Sequence, residues 1–206
     1  MGSGQTLETD VAPLRSAVRA FSRLVTGATS EAEILAEGSA ILANLLAQDV
    51  WLPEAFAQPS PERYSQYLLH CDSEERFSIV SFVWGPGQQT PVHNHTVWGL
   101  VGVLRGAERA QRYAIHEGVL VLDGEETLLE RGGVEAISPT IGDIHKVSNA
   151  YSDQVSISIH VYGANIGAVR RSTFSPDGAA KTFISGYSSS LLPNLWDRSA
   201  ESRTSA

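Results

Sequence analysis

The sequence is poor in cysteine, in lysine and in long apolar runs. Cys71 is the only cysteine among 206 residues, so no disulfide bond can form within the chain, which fits a protein of the reducing cytoplasm. Lysine occurs only at Lys146 and Lys181, and the formal net charge is −8, which argues against nucleic acid as a partner. No apolar stretch approaches the ~18 residues that cross a membrane. We therefore expect a cytoplasmic protein that binds neither nucleic acid nor a membrane; the sequence does not indicate its oligomeric state.

The N-terminal part of the chain has the pattern of two helices. Residues 11–27 carry apolar side chains at steps of three and four, which is typical of an amphipathic helix. Residues 31–48 repeat this pattern, and Ser30 with Glu33 matches a capping box, in which the hydroxyl accepts a hydrogen bond from a free backbone N–H. We expect these helices to form a layer over about residues 11–57.

Strand signals dominate from about residue 62. Short runs rich in β-branched and aromatic residues are separated by Gly, Pro, Asp and Asn, as in RFSIVSFVW and VSISIHVY. Many short strands at close spacing predict a sandwich or barrel, and the lack of strand–helix alternation argues against a parallel sheet. We expect one mainly β domain over residues 1–206: the two helices pack on an antiparallel β-barrel of about residues 62–175, followed by a C-terminal extension of residues 176–206.

Three histidines are candidate metal ligands. His93 and His95 are separated by one residue in PVHNHTVWGL, and residues i and i+2 of a strand point to the same face, so the two imidazoles can share one ion. His145 is the third candidate. The alternative is that these are hydrogen-bonded core histidines. No carboxylate follows the pair at Gly99 or Leu100.

The surroundings of the histidines resemble the two sequence motifs of the cupins. A glycine turn precedes the first two histidines, and a second motif brings the third. The residues that carry the resemblance are Gly87, His93 and His95, then Gly133, Pro139, Gly142, His145 and Asn149. The resemblance implies a jelly-roll barrel with a metal inside. Trp84 and Trp98, which flank the first motif, are expected to pack in the barrel.

The strand VSISIHVY, residues 155–162, has one apolar and one polar face. Ser158, His160 and Tyr162 lie on the polar face. In a plain amphipathic strand this face would be in water. In a small barrel covered by helices, the apolar face would instead pack under the helices, and the polar face would line the cavity as a hydrogen-bonded row that can orient a proton donor.

A Ser-x-His-x-Tyr strand after a three-histidine cupin site resembles the cysteine dioxygenase family of thiol dioxygenases. The resemblance implies that His93, His95 and His145 hold Fe(II), that Ser158, His160 and Tyr162 form a relay beside it, and that a thiol and dioxygen give a sulfinate. Three imidazoles without a carboxylate suit Fe(II) and leave its charge free to attract an anionic thiolate. Zinc fits the same ligand spacing, so the identity of the metal comes from the resemblance.

Gly99 and Gln66 reduce the range of thiols that we expect as the substrate. Gly99 stands where a crosslinked cysteine dioxygenase carries its cysteine, so Tyr162 should be uncrosslinked. Gln66 replaces an arginine, and with Arg171 downstream it resembles the bacterial 3-mercaptopropionate dioxygenases, in which one arginine holds the substrate carboxylate. We therefore expect 3-mercaptopropionate. Arg170 leaves mercaptosuccinate open, cysteine is a further alternative, and a metal-binding sensor without turnover is the alternative outside the enzymes.

Overall fold

The computed structural model describes residues 10–189 and 199–204. Its two long helices are α1 (Ala12–Gly27) and α2 (Glu31–Leu46), and a short helix α3 (Ser199–Thr204) lies near the end of the chain. The Ser30 hydroxyl caps α2 by accepting from the Glu33 N–H at 3.2 Å. The Glu33 carboxylate accepts from the Thr29 N–H at 2.9 Å, so it reaches one residue further back than a capping box predicts.

Antiparallel strands make up the rest of the described chain. They are β1 (Ser65–Cys71), β2 (Ser78–Trp84), β3 (Gly99–Arg105), β4 (Ala107–His116), β5 (Val119–Leu122), β6 (Thr127–Glu130), β7 (Val134–Ile137), β8 (Ile144–Asn149), β9 (Ser156–Tyr162), β10 (Arg171–Phe174) and β11 (Ala180–Phe183). One sheet has the order β1–β2–β9–β3–β7. A second sheet has the order β5–β4–β6, with β8 also paired to β4, and β10 pairs with β11.

The strand β9 lies in the middle of the first sheet, between β2 and β3, and all seven of its residues are buried. Its apolar residues Ile157, Ile159 and Val161 belong to the core that includes the inner faces of α1 and α2. The helix α2 approaches β3 closely at Gly102, where an added Cβ would come within 2.5 Å of Leu46. The helical layer therefore covers the outer face of this sheet.

The predicted mainly β barrel with two N-terminal helices is confirmed. The sequence patterns did not indicate β7, β10 or β11, which are only four residues long each. The pair β10–β11 also crosses residue 175, where we placed the end of the barrel; the division into one domain with a C-terminal extension stays a prediction. No helix in the described ranges is long and apolar enough to span a bilayer.

The packing of α2 on the sheet gives a stability prediction. Leu42 is fully buried between α2 and β3, so Leu42→Ala should lower the free energy of unfolding by about 2–5 kcal/mol, because it removes buried methyl groups and leaves a cavity. Leu128→Ala, at a half-exposed position of β6, is the control and should change it by less than about 0.5 kcal/mol. Urea unfolding measures both, and equal losses would contradict the packing described here.

Candidate active site

His93, His95 and His145 form one cluster. A nitrogen from each lies within 4.8 Å of a nitrogen of the others, close enough to hold one metal ion. His93 and His145 are also joined through their backbones, since each N–H donates to the carbonyl of the other at 3.0 Å. The expectation of a regular strand here was wrong: residues 91–98 form isolated bridges and bends, and Thr96 has a φ of 62°.

Backbone carbonyls orient two of the three rings. The Nδ1 of His93 lies 3.0 Å from the Pro91 carbonyl, and the Nδ1 of His95 lies 3.1 Å from the Asp143 carbonyl. A carbonyl can only accept, so both Nδ1 atoms carry the proton and both Nε2 atoms keep a free lone pair for a metal. The Asp143 carboxylate also accepts from the N–H groups of His95 and Thr96, at 3.0 and 2.8 Å, and so fixes this turn.

The electrostatics of the cluster favour neutral imidazoles. Burial lowers the pKa of His93 to about 4, and the nearby charge of Arg171 adds to this effect. Burial likewise lowers the pKa values of His95 and His145 well below the usual value. Three neutral nitrogen donors without a carboxylate fit a divalent transition metal, and both zinc and ferrous iron accept such a set.

The polar face of β9 forms a continuous row beside the cluster. The Ser158 hydroxyl lies 2.8 Å from the His160 Nε2, and the His160 Nδ1 lies 2.7 Å from the Tyr162 hydroxyl. The Trp84 Nε1–H donates to the Ser158 oxygen at 3.1 Å, so this tryptophan extends the row as well as packing in the barrel. The ring of Phe82 stacks on His160 with centroids 4.1 Å apart. The structure therefore brings all three predicted relay residues together.

Tyr162 connects the row to the histidine cluster. Its ring stacks on His95, with centroids 5.5 Å apart, and burial raises the pKa of its phenol, so the phenol stays protonated. Gly99 pairs directly with Tyr162 across β3 and β9, and a Cβ at Gly99 would lie 3.0 Å from the tyrosine ring. Since Cys71 is a free, buried cysteine at the end of β1, Tyr162 has no sulfur beside it at this position.

These residues line a cavity of about 120 Å³ between the two sheets. Its walls combine the histidine cluster and part of the relay row with both predicted substrate residues, Gln66 and Arg171. The lining residues are Tyr64, Gln66, Phe82, Trp84, Thr90, Pro91, His93, His95, His145, Val147, His160, Tyr162, Arg171, Thr173, Phe183 and Ser185. Arg170 is exposed and is not among them.

Arg171 is buried at the cavity without an acidic partner among the described residues. One of its terminal N–H groups donates to the Ser185 hydroxyl at 2.7 Å, and its guanidinium lies 4.8 Å above the ring of Phe183. Its Nε has no hydrogen-bond partner in the part of the chain that the structure describes. A buried cation of this kind can bind an anion.

The comparisons with known proteins agree with this geometry. The family model described as cysteine dioxygenase type I matches residues 10–174. The chain belongs to the cysteine dioxygenase type I family. Membership in this family supports a thiol dioxygenase, and the three-histidine cluster of this family member can bind a metal.

Solved structures with similar folds include three bacterial proteins. A Klebsiella pneumoniae protein with a double-stranded β-helix domain is 18% identical, with a TM-score of 0.45 over 58% of this chain and 94% of its own. A Thermus thermophilus protein is 20% identical, with a TM-score of 0.41 over 57% and 95%. A cupin superfamily protein from Desulfitobacterium hafniense is 14% identical, with a TM-score of 0.43 over 57% and 93%.

The structure of this cysteine dioxygenase family member adds residues that sequence reasoning missed. Asp143 orients the His95 turn, Glu108 is a buried acid that interacts with Ser158, and Tyr64 packs against Trp84 at a tilted angle with ring centroids 4.8 Å apart. Asp143 stands two residues before a predicted ligand, which was an available signal. Glu108 and the exposed Arg109 are neighbours on β4, so their side chains point to opposite faces of the strand. Only the closed barrel shows that the side chain of Glu108 points into the interior.

The role of Asp143 gives a prediction for metal binding. Asp143→Ala should weaken divalent-metal affinity on the order of 10–100-fold, because the turn that orients His95 loses its two hydrogen bonds. Competition with a chelator measures the affinity, and the exposed Asp123→Ala is the matched control. Unchanged affinity in the Asp143 variant would show that the ring is held by other contacts.

Proposed function

We propose that the protein is an Fe(II)-dependent thiol dioxygenase that converts a small carboxylated thiol, 3-mercaptopropionate, into its sulfinic acid. In this reaction a thiolate and one dioxygen molecule give a sulfinate, so both oxygen atoms end on sulfur. The observation that carries the proposal is the meeting of three elements at one cavity: the histidine cluster, His160 and Tyr162 of the relay row, and Arg171, which is buried and has no acidic partner among the described residues. A cytoplasmic location remains a prediction from the sequence.

The histidine cluster would hold the metal through His93, His95 and His145. Ferrous iron, when bound there, would supply a redox-active centre for the reaction of dioxygen with sulfur. The neutral imidazoles contribute no negative charge, so the site favours an anionic thiolate. The small size of the cavity suits a substrate of a few heavy atoms and leaves little room for bulk water.

Arg171 would anchor the substrate carboxylate. Its guanidinium is fixed by Ser185 and Phe183, and its Nε–H is free to donate. A carboxylate can accept two parallel hydrogen bonds from a guanidinium, which orients the substrate as well as binding it. The exposed position of Arg170 favours one carboxylate over the two of mercaptosuccinate.

The cavity also favours a thiol without an amine. None of the described residues that line it is acidic, so the ammonium group of cysteine would meet no carboxylate. The Gln66 amide N–H donates to the Gly186 carbonyl at 2.8 Å, and this contact fixes an uncharged side chain in the cavity lining. These features support 3-mercaptopropionate over cysteine.

The relay row would position Tyr162 toward the substrate. His160 holds the tyrosine oxygen at 2.7 Å, and Ser158 holds the opposite nitrogen of the imidazole. Because burial keeps the phenol protonated, Tyr162 can donate or accept one hydrogen bond in the cavity without a change of charge.

The reaction class is tested by oxygen uptake together with sulfinate formation, using iron-loaded protein and 3-mercaptopropionate, cysteine or mercaptosuccinate. We expect equimolar uptake and sulfinate, with the highest kcat/KM for 3-mercaptopropionate. Tyr162→Phe should keep its iron but slow sulfinate formation or uncouple it from oxygen uptake, whereas His93→Ala should lose the iron. No uptake with any thiol would exclude the class and favour a non-catalytic sensor.

The carboxylate anchor is tested with Arg171→Gln. A charged hydrogen bond contributes about 1.5–3 kcal/mol. The variant should therefore lose roughly 10–100-fold in kcat/KM for 3-mercaptopropionate, mainly through a higher KM. With 2-mercaptoethanol, which has no carboxylate, wild type and variant should differ little. Arg170→Gln is the control on the adjacent exposed residue, and an equal loss there would remove the basis for assigning Arg171 as the anchor.

A further inference from the structure

Glu108 is a buried acid without an evident structural purpose. It lies on β4, opposite Leu129 of β6 and Asn149 of β8, and only 1% of its surface is exposed. Neither of its carboxyl oxygens has a hydrogen-bond partner of normal geometry in the described part of the chain. Burying a carboxyl in this way destabilises a fold, so its presence calls for a functional explanation.

The neighbours of Glu108 belong to the relay row. Glu108 lies where β4 meets the polar face of β9: the N–H of its neighbour Ala107 donates to the Ser156 hydroxyl at 3.2 Å, and Ser158 follows two residues along the same face. The Ser158 hydroxyl and the Trp84 indole both act to lower the pKa of the Glu108 carboxyl, although neither makes a hydrogen bond to it in the structure. Ser158 continues to His160, and His160 continues to Tyr162 at the cavity. A carboxyl, a hydroxyl, an imidazole and a phenol therefore follow one another from the barrel interior to the substrate cavity.

Which group donates and which accepts in each hydrogen bond of the row depends on whether Glu108 carries a proton. The Ser158 oxygen has one proton and two lone pairs, and the Trp84 N–H occupies one lone pair. With Glu108 ionised, a rotation of its carboxylate would let Ser158 donate to it while accepting from the His160 Nε2–H. The His160 Nδ1 then accepts from Tyr162, and the phenol oxygen offers a lone pair to the cavity.

The opposite direction follows when Glu108 is protonated. The acid would then donate to Ser158, and Ser158 would donate to the His160 Nε2. The proton on the His160 Nδ1 is donated to the Tyr162 oxygen, so the phenol O–H is free to donate into the cavity. Protonation of Glu108 would therefore reverse each hydrogen bond of the row and leave the Tyr162 O–H pointing into the cavity.

We propose that Glu108 is the positioning residue at the inner end of the relay, which sets the tautomer of His160 and takes up the proton that a thiol loses at Tyr162. This inference rests on the proposed function. The thiol S–H bond breaks as the Tyr162 oxygen gains that proton, and each member of the row passes its own proton inward. The Glu108 carboxylate becomes a carboxylic acid and the thiol becomes the reactive thiolate, so charge and protons balance.

The surroundings of Glu108 suit this role. Burial raises its pKa to about 7, while Ser158 and Trp84 act in the opposite direction and the charge of Glu135 on β7 adds to the rise. The neighbours on β6 and β8, Leu129 and Asn149, do not titrate. Beyond Glu135, Tyr162 of the row is within reach of the Glu108 charge, which acts to raise the pKa of its phenol.

The experiment is nitrogen NMR of the histidine side chains, on metal-free protein and on protein loaded with diamagnetic Zn(II), from pH 5.5 to 9. The spectrum distinguishes a proton on Nδ1 from one on Nε2, and His160→Asn assigns the signal. In the wild type we expect His160 to change from the Nδ1–H tautomer to the Nε2–H tautomer as the pH rises through about 7. Glu108→Gln should abolish the change, and Glu108→Asp should keep it with a displaced midpoint.

Glu130→Gln, at an exposed position of β6 beside Ala107, is the matched control and should behave like the wild type. The pH profile of kcat/KM should lose its inflection near 7 in Glu108→Gln only. A wild-type His160 that keeps one tautomer over the whole range would overturn the inference, even where the glutamine variant does not fold. The NMR measurement needs neither substrate nor turnover, so its failure is distinct from failure of the proposed reaction.

Discussion

The architecture of the site depends on the two faces of one strand. Side chains alternate along β9, so its apolar face can pack under the helices only if its polar face points into the barrel. Polar groups buried in this way are stabilised by hydrogen bonds to one another, because burial removes most of their contact with solvent. Ser158, His160 and Tyr162 therefore form a row with short contacts, and the helical layer supports this row by covering the apolar face of the same strand.

The histidine cluster depends instead on contacts between irregular segments. His93 and His145 exchange backbone hydrogen bonds, and Asp143 fixes the turn that carries His95. On the other side, Asn94 binds Ser172 through both its N–H and its side-chain oxygen, which ties the cluster to the strand of Arg171. Backbone contacts thus fix the position of the three histidines relative to Arg171, the candidate carboxylate anchor.

The features that could be predicted from the sequence are those with a repeating pattern. Alternation identified the two faces of β9, helical periodicity identified α1 and α2, and the spaced histidines identified the cluster. The sequence could not show how residues 91–98 are shaped, since a bend stabilised by a distant carboxylate has no periodicity. Glu108 escaped notice because one acid on a strand is usually solvated, and only the closed barrel places it in the interior.

Charges of opposite sign act on Tyr162. Burial dominates in raising the pKa of the phenol; the positive charge of Arg171 acts to lower it, whereas the acid Glu108 acts to raise it. The tyrosine thus responds to two opposite charges, a fixed cation that lines the same cavity and a buried acid on β4. In the proposed reaction, a substrate anion would be attracted toward the cation, and a proton that leaves the substrate would be attracted toward the acid. The proton and the thiolate would therefore be drawn in different directions. The thiolate would stay in the cavity, and the released proton would be held inside the protein.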